Sequence, residues 1–273
     1  MKPSGVITLT TDFGLKDPYV GEMKGVILSI NPYAKIVDIT HEVAKFSVRE
    51  ASFVLAASYS YFPRGTAHVV VVDPGVGSER KAIAVRTKNY YFVGPDNGVL
   101  MLAAEEDGVE SVVEIEPGKY TRESISHTFH GRDVFAPAAA HISLGVPLEE
   151  LGRGLSEWVR PSYAKPVVEE GAVRCEVVYV DSFGNVILNV RETDLQRCGV
   201  GLGARLSVRF KGIAIEVPFC RTFSDVNEGE ALLYVGGHGF LELGIREGSA
   251  SSSLGLELGD RIELQLKQEE ERR

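Results

Sequence analysis

The sequence predicts an α/β fold class in which an N-terminal sandwich, built around a mostly parallel central sheet, is followed by a small all-β, barrel-like C-terminal domain. Three observations carry this. Up to Gly145, β-branched runs alternate with stretches of helical periodicity. Between residues 161 and 171 the chain reads PSYAKPVVEEG, with two prolines and no amphipathic period, which is linker composition. Beyond it come only short alternating or β-branched runs, parted by Gly- and Asp-rich turns. The expected domains are therefore 1–160 and 172–273, joined by a linker at 161–171.

Residues 5–11 (GVITLTT) read as a buried strand running into Asp12-Phe13-Gly14. Asp17-Pro18 then supplies a cap and a first-turn proline, and Val20, Met23, Val26, Ile27 and Ile30 recur at helical spacing until Asn31-Pro32. The scheme repeats with a strand at 35–40 and a helix at 47–62, capped by Ser47 with Glu50 three residues on. Residues 67–72 (AHVVVV) are continuously apolar apart from one histidine, which suits a central strand covered on both faces. Strands at 82–86, 90–93 and 109–115 accompany a short helix ending near Glu106, and a last helix spans about 133–143. In the second half, strands are expected at 174–180, 186–190, 205–210, 213–218, 231–235, 240–245 and 261–266. The charge run 267–273 reads as a frayed, solvated end.

Composition narrows the function. Of the 273 residues 38 are acidic and 29 basic, a net charge of −9 that argues against a phosphate-backbone footprint and hence against nucleic acid. No apolar run approaches the ~18 to 20 residues of a membrane helix, so no membrane anchor or targeting segment is expected. Cys175, Cys198 and Cys220 are an odd number without CxxC spacing, which fits a reduced cytoplasm better than a disulfide framework or zinc knuckle.

Open α/β sheets bind ligands at strand C-termini, which singles out Asp12, Asp73 and the segment His130–Asp133. Asp12-Phe13-Gly14 spells a kinase magnesium triplet, but the catalytic loop and Gly-rich loop that must accompany it are missing. Gly75-Val76-Gly77 lacks the third glycine and following helix of a dinucleotide site. His127 and His130 are near enough in sequence to share a metal, whereas His68 in a strand and His141 in a helix read as packed or surface residues. In Asp73-Pro-Gly-Val-Gly-Ser-Glu-Arg80 a glycine-rich reversal brings a carboxylate and a guanidinium together, and their contact can orient a water. His130 adds an imidazole, while Arg132 and Asp133 suit a structural ion pair. In the hairpin-like turn 181–185, Phe183 offers a stacking face, Asn185 a paired donor and acceptor, and Asp181 a charge for a cation.

Together, Leu9-Thr10-Thr11-Asp12-Phe13-Gly14 with Asp17 and residues 19–25 (YVGEMKG), Val72-Asp73-Pro74-Gly75-Val76-Gly77 with Arg80, Gly94-Pro95-Asp96-Asn97-Gly98, residues 128–137 (TFHGRDVFAP) and residues 181–185 resemble the S-adenosylmethionine (SAM) hydrolases, also called SAM hydroxide adenosyltransferases, relatives of fluorinase and chlorinase. The resemblance implies an α/β domain, a β-barrel-like domain, and a homotrimer with active sites between neighbouring subunits. It implies that water attacks the ribose C5′ of SAM to give adenosine and methionine, with no cofactor or metal, because the sulfonium leaves as a neutral thioether. The family's water-orienting triad falls on Asp73, Arg80 and His130. Asp12 matches the position that holds the ribose hydroxyls, Asp17 and Asp181 match carboxylates near the methionine ammonium, Phe183 and Asn185 fall on the adenine-side turn, and the adenine also meets backbone at Ile245 to Glu247.

The halogenase branch has tyrosine where this chain has Asp73, and a fixed negative charge there disfavours a halide. Gly131 stands where fluorinase has a halide-contacting serine, although chlorinase also has glycine, and fluorinase's long inserted loop is missing. Gly236-Gly237-His238-Gly239 departs from the Ser-containing turn that relatives use for the methionine carboxylate, leaving backbone amides or His238 as the anchor. Arg246 replaces a usual asparagine. A SAM-binding sensor with little turnover is the alternative of a different class.

Overall fold

The computed structural model describes residues 1–169 and 171–266, so the expected frayed end at 267–273 lies outside the described residues. The chain forms two compact units, Met1–Pro161 and Ser162–Arg273. Among the described residues no helix is long and apolar enough to cross a membrane.

The first unit contains β1 (Val6–Thr11), α1 (Tyr19–Ile30), β2 (Lys35–Thr40), α2 (Val48–Ser58), β3 (Ala67–Val71), β4 (Ala82–Thr87), β5 (Tyr91–Pro95), α3 (Met101–Asp107), β6 (Val109–Ile115), α4 (Ala136–Ser143) and β7 (Gly152–Gly154). They make one mixed sheet in the order β2-β1-β3-β5-β4-β6-β7. The pairs from β2 to β5 are parallel and those from β5 to β7 antiparallel. The switch occurs because β4 and β5 are joined by a tight turn, closed by Thr87 N–H to Tyr90 C=O at 3.0 Å, which forces a hairpin. β5 is thereby inserted between β3 and β4. Ile7, Leu9, Val69, Val71 and Val93 share one core with Met23 and Ile27 of α1 and Ile142 of α4. The alternate residues Thr8, His68 and Phe92 face the other way.

Helix signals held with two corrections. Asp17 does not cap α1: the helix starts at Tyr19 with Pro18 as its N-cap and no side-chain bond, because the proline ring already fixes the entering φ at −73°. Ser47 does cap α2, its Oγ accepting from Glu50 N–H at 3.4 Å, but Glu50 returns its carboxylate to Ala44 N–H at 3.3 Å.

The second unit contains β8 (Val167–Glu169), β9 (Ala172–Val180), β10 (Val186–Arg191), α5 (Glu192–Arg197), β11 (Arg205–Phe210), β12 (Ile213–Pro218), β13 (Ala231–Val235), β14 (Phe240–Ile245), α6 (Ala250–Leu254) and β15 (Arg261–Leu266). The sheet runs β12-β11-β15-β9-β10-β14-β13, with β8 added beside β9. Beyond β12, Phe219 bridges Leu233 of β13, which brings the two ends of the sheet together into a nearly closed barrel around Val177, Leu188, Leu206, Leu233 and Leu243. The stretch expected as linker holds a short 3-10 turn, Ser162–Ala164, and β8. Two helices interrupt the expected all-β pattern. Both are short: α5 starts where Asp194 accepts from Arg191 N–H at 2.9 Å, and α6 where Ser249 accepts from Ser252 N–H at 3.1 Å.

His68 is fully buried, as expected for a packed residue, among the rings of Tyr59, Phe62, Tyr90 and Phe92. Its Nδ1 meets Thr8 Oγ1 at 2.8 Å, and burial pushes its pKa down to about 3 from 6.5. The unfolded chain therefore binds a proton below about pH 6.5 that the folded chain refuses, and stability declines as the pH falls from there toward 3. Urea unfolding of wild type between pH 6 and 4 is expected to show about 1.4 kcal/mol more loss per pH unit than a His68→Leu variant. Equal slopes would remove His68 from the acid response.

Candidate active site

Of the side chains expected to act in the first unit, Asp12 and Asp73 follow the parallel strands β1 and β3, Arg80 precedes β4, and His130 stands just ahead of the turn into α4. Asp12 follows β1 and is 6% exposed. Its Oδ2 accepts from Phe46 N–H at 2.8 Å, and its carbonyl accepts from Lys45 Nζ. Phe46 takes a left-handed φ of 66°, uncommon for an aromatic residue, which turns its N–H onto Asp12 and leaves its ring 69% exposed. Phe13, Tyr19 and Phe129 meet edge to face at centroid distances of 5.7, 5.7 and 5.2 Å. Together with Asp17, Asp73, Val76, Thr128, His130 and Gly131 they line a depression of about 390 Å³.

Arg80 joins two of these lining residues, Asp73 and His130, the other members of the expected triad. Its Nε donates to Asp73 Oδ1 at 3.0 Å and its Nη2 to Oδ2 at 2.5 Å, while Nη2 also donates to His130 Nδ1 at 2.8 Å. The guanidinium lies over the Phe135 ring at 5.3 Å and its side chain is only 10% exposed. Because a guanidinium only donates, Nδ1 of His130 must accept, and a neutral imidazole then carries its proton on Nε2. Burial first, and the neighbouring Arg80 charge second, hold His130 below its ordinary pKa.

Two backbone features bring these groups together. Gly77 has φ +76°, and a β-carbon there would stand 2.4 Å from His127 O, so only glycine lets the 73–81 loop close on the segment preceding His130. His130 is itself followed by a π turn, Gly131–Phe135, that leads into α4. Fully buried Asp133 anchors it: Arg132 binds both carboxylate oxygens at 2.8 and 3.0 Å, and Ser126 N–H donates at 2.9 Å. Burial would raise this carboxyl, but the bonds from Arg132 and Ser126 outweigh it and hold it below the usual range. Arg132 and Asp133 are thus the structural pair expected. Among the described residues no group of three or more His, Cys, Asp or Glu is placed to hold a metal ion.

In the second unit Asp181, Phe183, Asn185, Ile245 and Glu247 line one groove of about 880 Å³, with Phe223, Ser224, Arg246 and Gly248. Asp181 organises its own turn: Oδ1 accepts from Phe183 N–H at 2.9 Å and Asn185 N–H at 2.8 Å, and Oδ2 from Asn185 Nδ2 at 2.9 Å. Phe183 is left 79% exposed. Arg246 donates its N–H to Glu230 O at 3.0 Å, and its C=O accepts from Gly229 N–H at 2.9 Å.

His238 is not among the residues lining that groove; its carbonyl accepts from Arg191 Nη1 at 2.7 Å. The Gly236 departure has a local cause. Tyr234 Oη donates to the buried Glu242 at 2.5 Å, and the other carboxylate oxygen lies 1.8 Å from where a β-carbon of residue 236 would stand. Phe223 and Phe46 escaped sequence reading. Thr222 and Asp225, three apart around a 3-10 turn, were the available signal for Phe223, whereas nothing in the sequence announces the backbone of Phe46.

The comparisons agree along the whole length. Residues 7–152 match the model of the SAM hydroxide adenosyltransferase N-terminal domain and 175–263 that of its C-terminal domain. A protein of Salinispora tropica named (R)-S-adenosyl-L-methionine hydrolase is 37% identical, over 96% of this chain and 98% of its own. One of the same name from Methanocaldococcus jannaschii is 37% identical over 95% of each, and a fluorinase of Actinoplanes is 28% identical over 87% of this chain and 90% of its own. A crystal structure of an uncharacterized conserved protein from Thermotoga maritima superposes with a TM-score of 0.88 at 45% identity, covering 95% of this chain and 99% of that one.

The Arg80 contact makes a direct prediction. In an NMR titration of the imidazole, Arg80→Gln is expected to raise the His130 pKa toward its ordinary value, since it removes the neighbouring charge but not the burial. An unchanged or lower value would contradict the geometry.

Proposed function

The chain belongs to the SAM hydroxide adenosyltransferase family, and we propose that it hydrolyses SAM to adenosine and methionine by placing water on the ribose C5′. The observation that carries this reading is the bridge from Asp73 through Arg80 to His130. With Nδ1 held by Arg80, His130 offers Nε2–H to the water oxygen, and Asp73 offers acceptor oxygens to the water protons. Asp73 therefore takes the proton as the oxygen attacks, and His130 aims the lone pair; Arg80 balances the carboxylate charge and fixes the imidazole. The C5′–S bond breaks as the C–O bond forms, and the electron pair neutralises the sulfonium, so no acid and no cofactor is required for the leaving group.

Asp12 presents Oδ1 to the ribose hydroxyls while Phe46 holds Oδ2. Asp17 and Asp181 supply negative charge for the ammonium. Phe183 and Phe223 provide faces for adenine, with Asn185 and the Ile245–Glu247 turn at its edge. Family membership is what supports a homotrimer with sites between neighbouring subunits. Three free cysteines are in keeping with a cytoplasmic setting.

Halogenation is disfavoured by the same pair. A halide needs hydrogen-bond donors, whereas Asp73 offers only acceptors and a negative charge; a serine such as fluorinase has would be crowded at Gly131, where a β-carbon would lie 3.2 to 3.3 Å from Phe129, Met23 and Val71. Purified protein given SAM is expected to release adenosine and methionine by chromatography, also in excess chloride or fluoride. A 5′-halogenated nucleoside as main product would point to the halogenase branch, and retained intact SAM to a sensor.

Asp73→Ala is expected to lower kcat by about 10²–10⁴-fold with SAM binding retained. Protonating His130 adds a cation beside Arg80 and removes its acceptor. Activity should therefore be lost as the pH falls through a His130 pKa below 6.5, seen as the acid limb of kcat/KM. A limb above 6.5 would assign the titration elsewhere.

A further inference from the structure

The motif Gly94-Pro95-Asp96-Asn97-Gly98 lines neither pocket described above, yet it touches the catalytic loop at both ends. Since β5 lies between β3 and β4, the 73–81 loop leaving β3 and entering β4 must pass over the end of β5. Two consecutive residues there reach in opposite directions. Asp96 N–H donates to Lys81 O at 2.9 Å, and Asn97 Nδ2 donates to Val72 O at 3.0 Å. Residues 72 and 81 are those immediately outside Asp73 and Arg80.

The rest of the motif makes the clamp stiff. A β-carbon on Gly94 would stand 2.5 Å from Val70 O, so β3 and β5 touch at their backbones. Asp96 Oδ1 accepts from Val159 N–H at 2.9 Å, and Asn97 Oδ1 accepts from Val99 N–H at 3.1 Å, which fixes the amide so that its nitrogen faces Val72. The loop's own bonds, Val76 N–H to Asp73 O at 3.2 Å and Ser78 Oγ to Gly75 O at 2.6 Å, shape its interior without setting its position on the sheet.

We propose that Asn97 is a positioning residue for the hydrolysis: by tying the Val72 carbonyl to the end of β5 it sets where the Asp73 carboxylate stands, and so whether Arg80 can bond Asp73 and His130 at once. This rests on the assignment of Asp73 and His130 to water activation. A shift of about 1 Å in such a group costs up to about 10²-fold in rate, so a lost strut registers in turnover rather than in substrate affinity.

Asn97→Asp keeps an acceptor for Val99 N–H and removes the donor to Val72; Asn97→Ser also keeps an acceptor, adds no charge, and carries its one hydroxyl a bond short of where the Asn97 amide nitrogen reaches Val72 O. For SAM turnover we expect kcat about tenfold lower or more, KM within about twofold, and a thermal midpoint within a few degrees of wild type. The pH profile gives a readout that a general loosening would not move. His130 is faced by Arg80 and Asp73 from the loop, Asp133 from its own helix and His127 from the preceding segment. Arg80 drifting from it should move the acid limb of kcat/KM upward. Either folded variant retaining kcat within twofold, or a limb that stays in place while kcat falls, overturns the proposal. Asp73→Ala and His130→Ala measured alongside separate the two levels: full turnover in those sinks the catalytic assignment and the clamp together, whereas their inactivity beside normal Asn97 variants sinks the clamp alone.

Discussion

One guanidinium group organises the first unit's chemistry. Arg80, with its side chain 10% exposed, spans a carboxylate and an imidazole through bonds of 2.5 to 3.0 Å. A planar donor fork fixes both the distance between its acceptors and their protonation states, which a flexible lysine would not. The backing ring of Phe135 and the bonds to Asp73 and His130 keep that fork from turning out to solvent, where an ion pair of this kind contributes little. The architecture around it, from strand order to glycine placement, brings two separate pieces of chain, the 73–81 loop and the segment at His130, within reach of one another.

That assembly depends on close backbone approaches as much as on side chains. Gly77 against His127 and Gly94 against Val70 are two places where main chain meets main chain with no space for a β-carbon. In the second unit, Gly184 has φ +83° and a β-carbon would fall 2.0 Å from Ser249 Oγ, so the turn carrying Phe183 is seated on the start of α6. Gly236 yields its space to Glu242 in the same manner. Rigid presentation of reactive groups is achieved here with residues that carry no reactive group.

Most of this was legible in the sequence where local chemistry and strand position agree. Asp12, Asp73 and His130 follow strand ends or precede a helix, and Arg80 stands across a glycine-rich reversal, so their convergence could be read from pattern; their individual roles came from family resemblance. The strands of the barrel were legible as alternating runs. What escaped had a physical reason in each case. The α5 and α6 helices, of 6 and 5 residues, are too short to show a helical period. Phe46 is defined by a left-handed φ that glycine would have signalled and phenylalanine hides. The Gly236 turn beside His238 is shaped by the buried Tyr234 and Glu242 behind it, a pair across β13 and β14 that no local pattern announces. Asp17 looked like a cap because it precedes a proline, and the proline made the cap unnecessary.

The π turn at Gly131–Phe135 has a consequence for the residue just ahead of it. It is closed by Ala136 N–H reaching back five residues to Gly131 O, which is the signature of one residue inserted into an ordinary helix. Excising a single residue there would restore the regular pitch and swing the preceding imidazole through roughly 100° about the axis, out of the guanidinium's grasp. The helix would become more regular and the contact between Arg80 and His130 would be lost. The irregular turn, and not the regular helix after it, is what aims the imidazole.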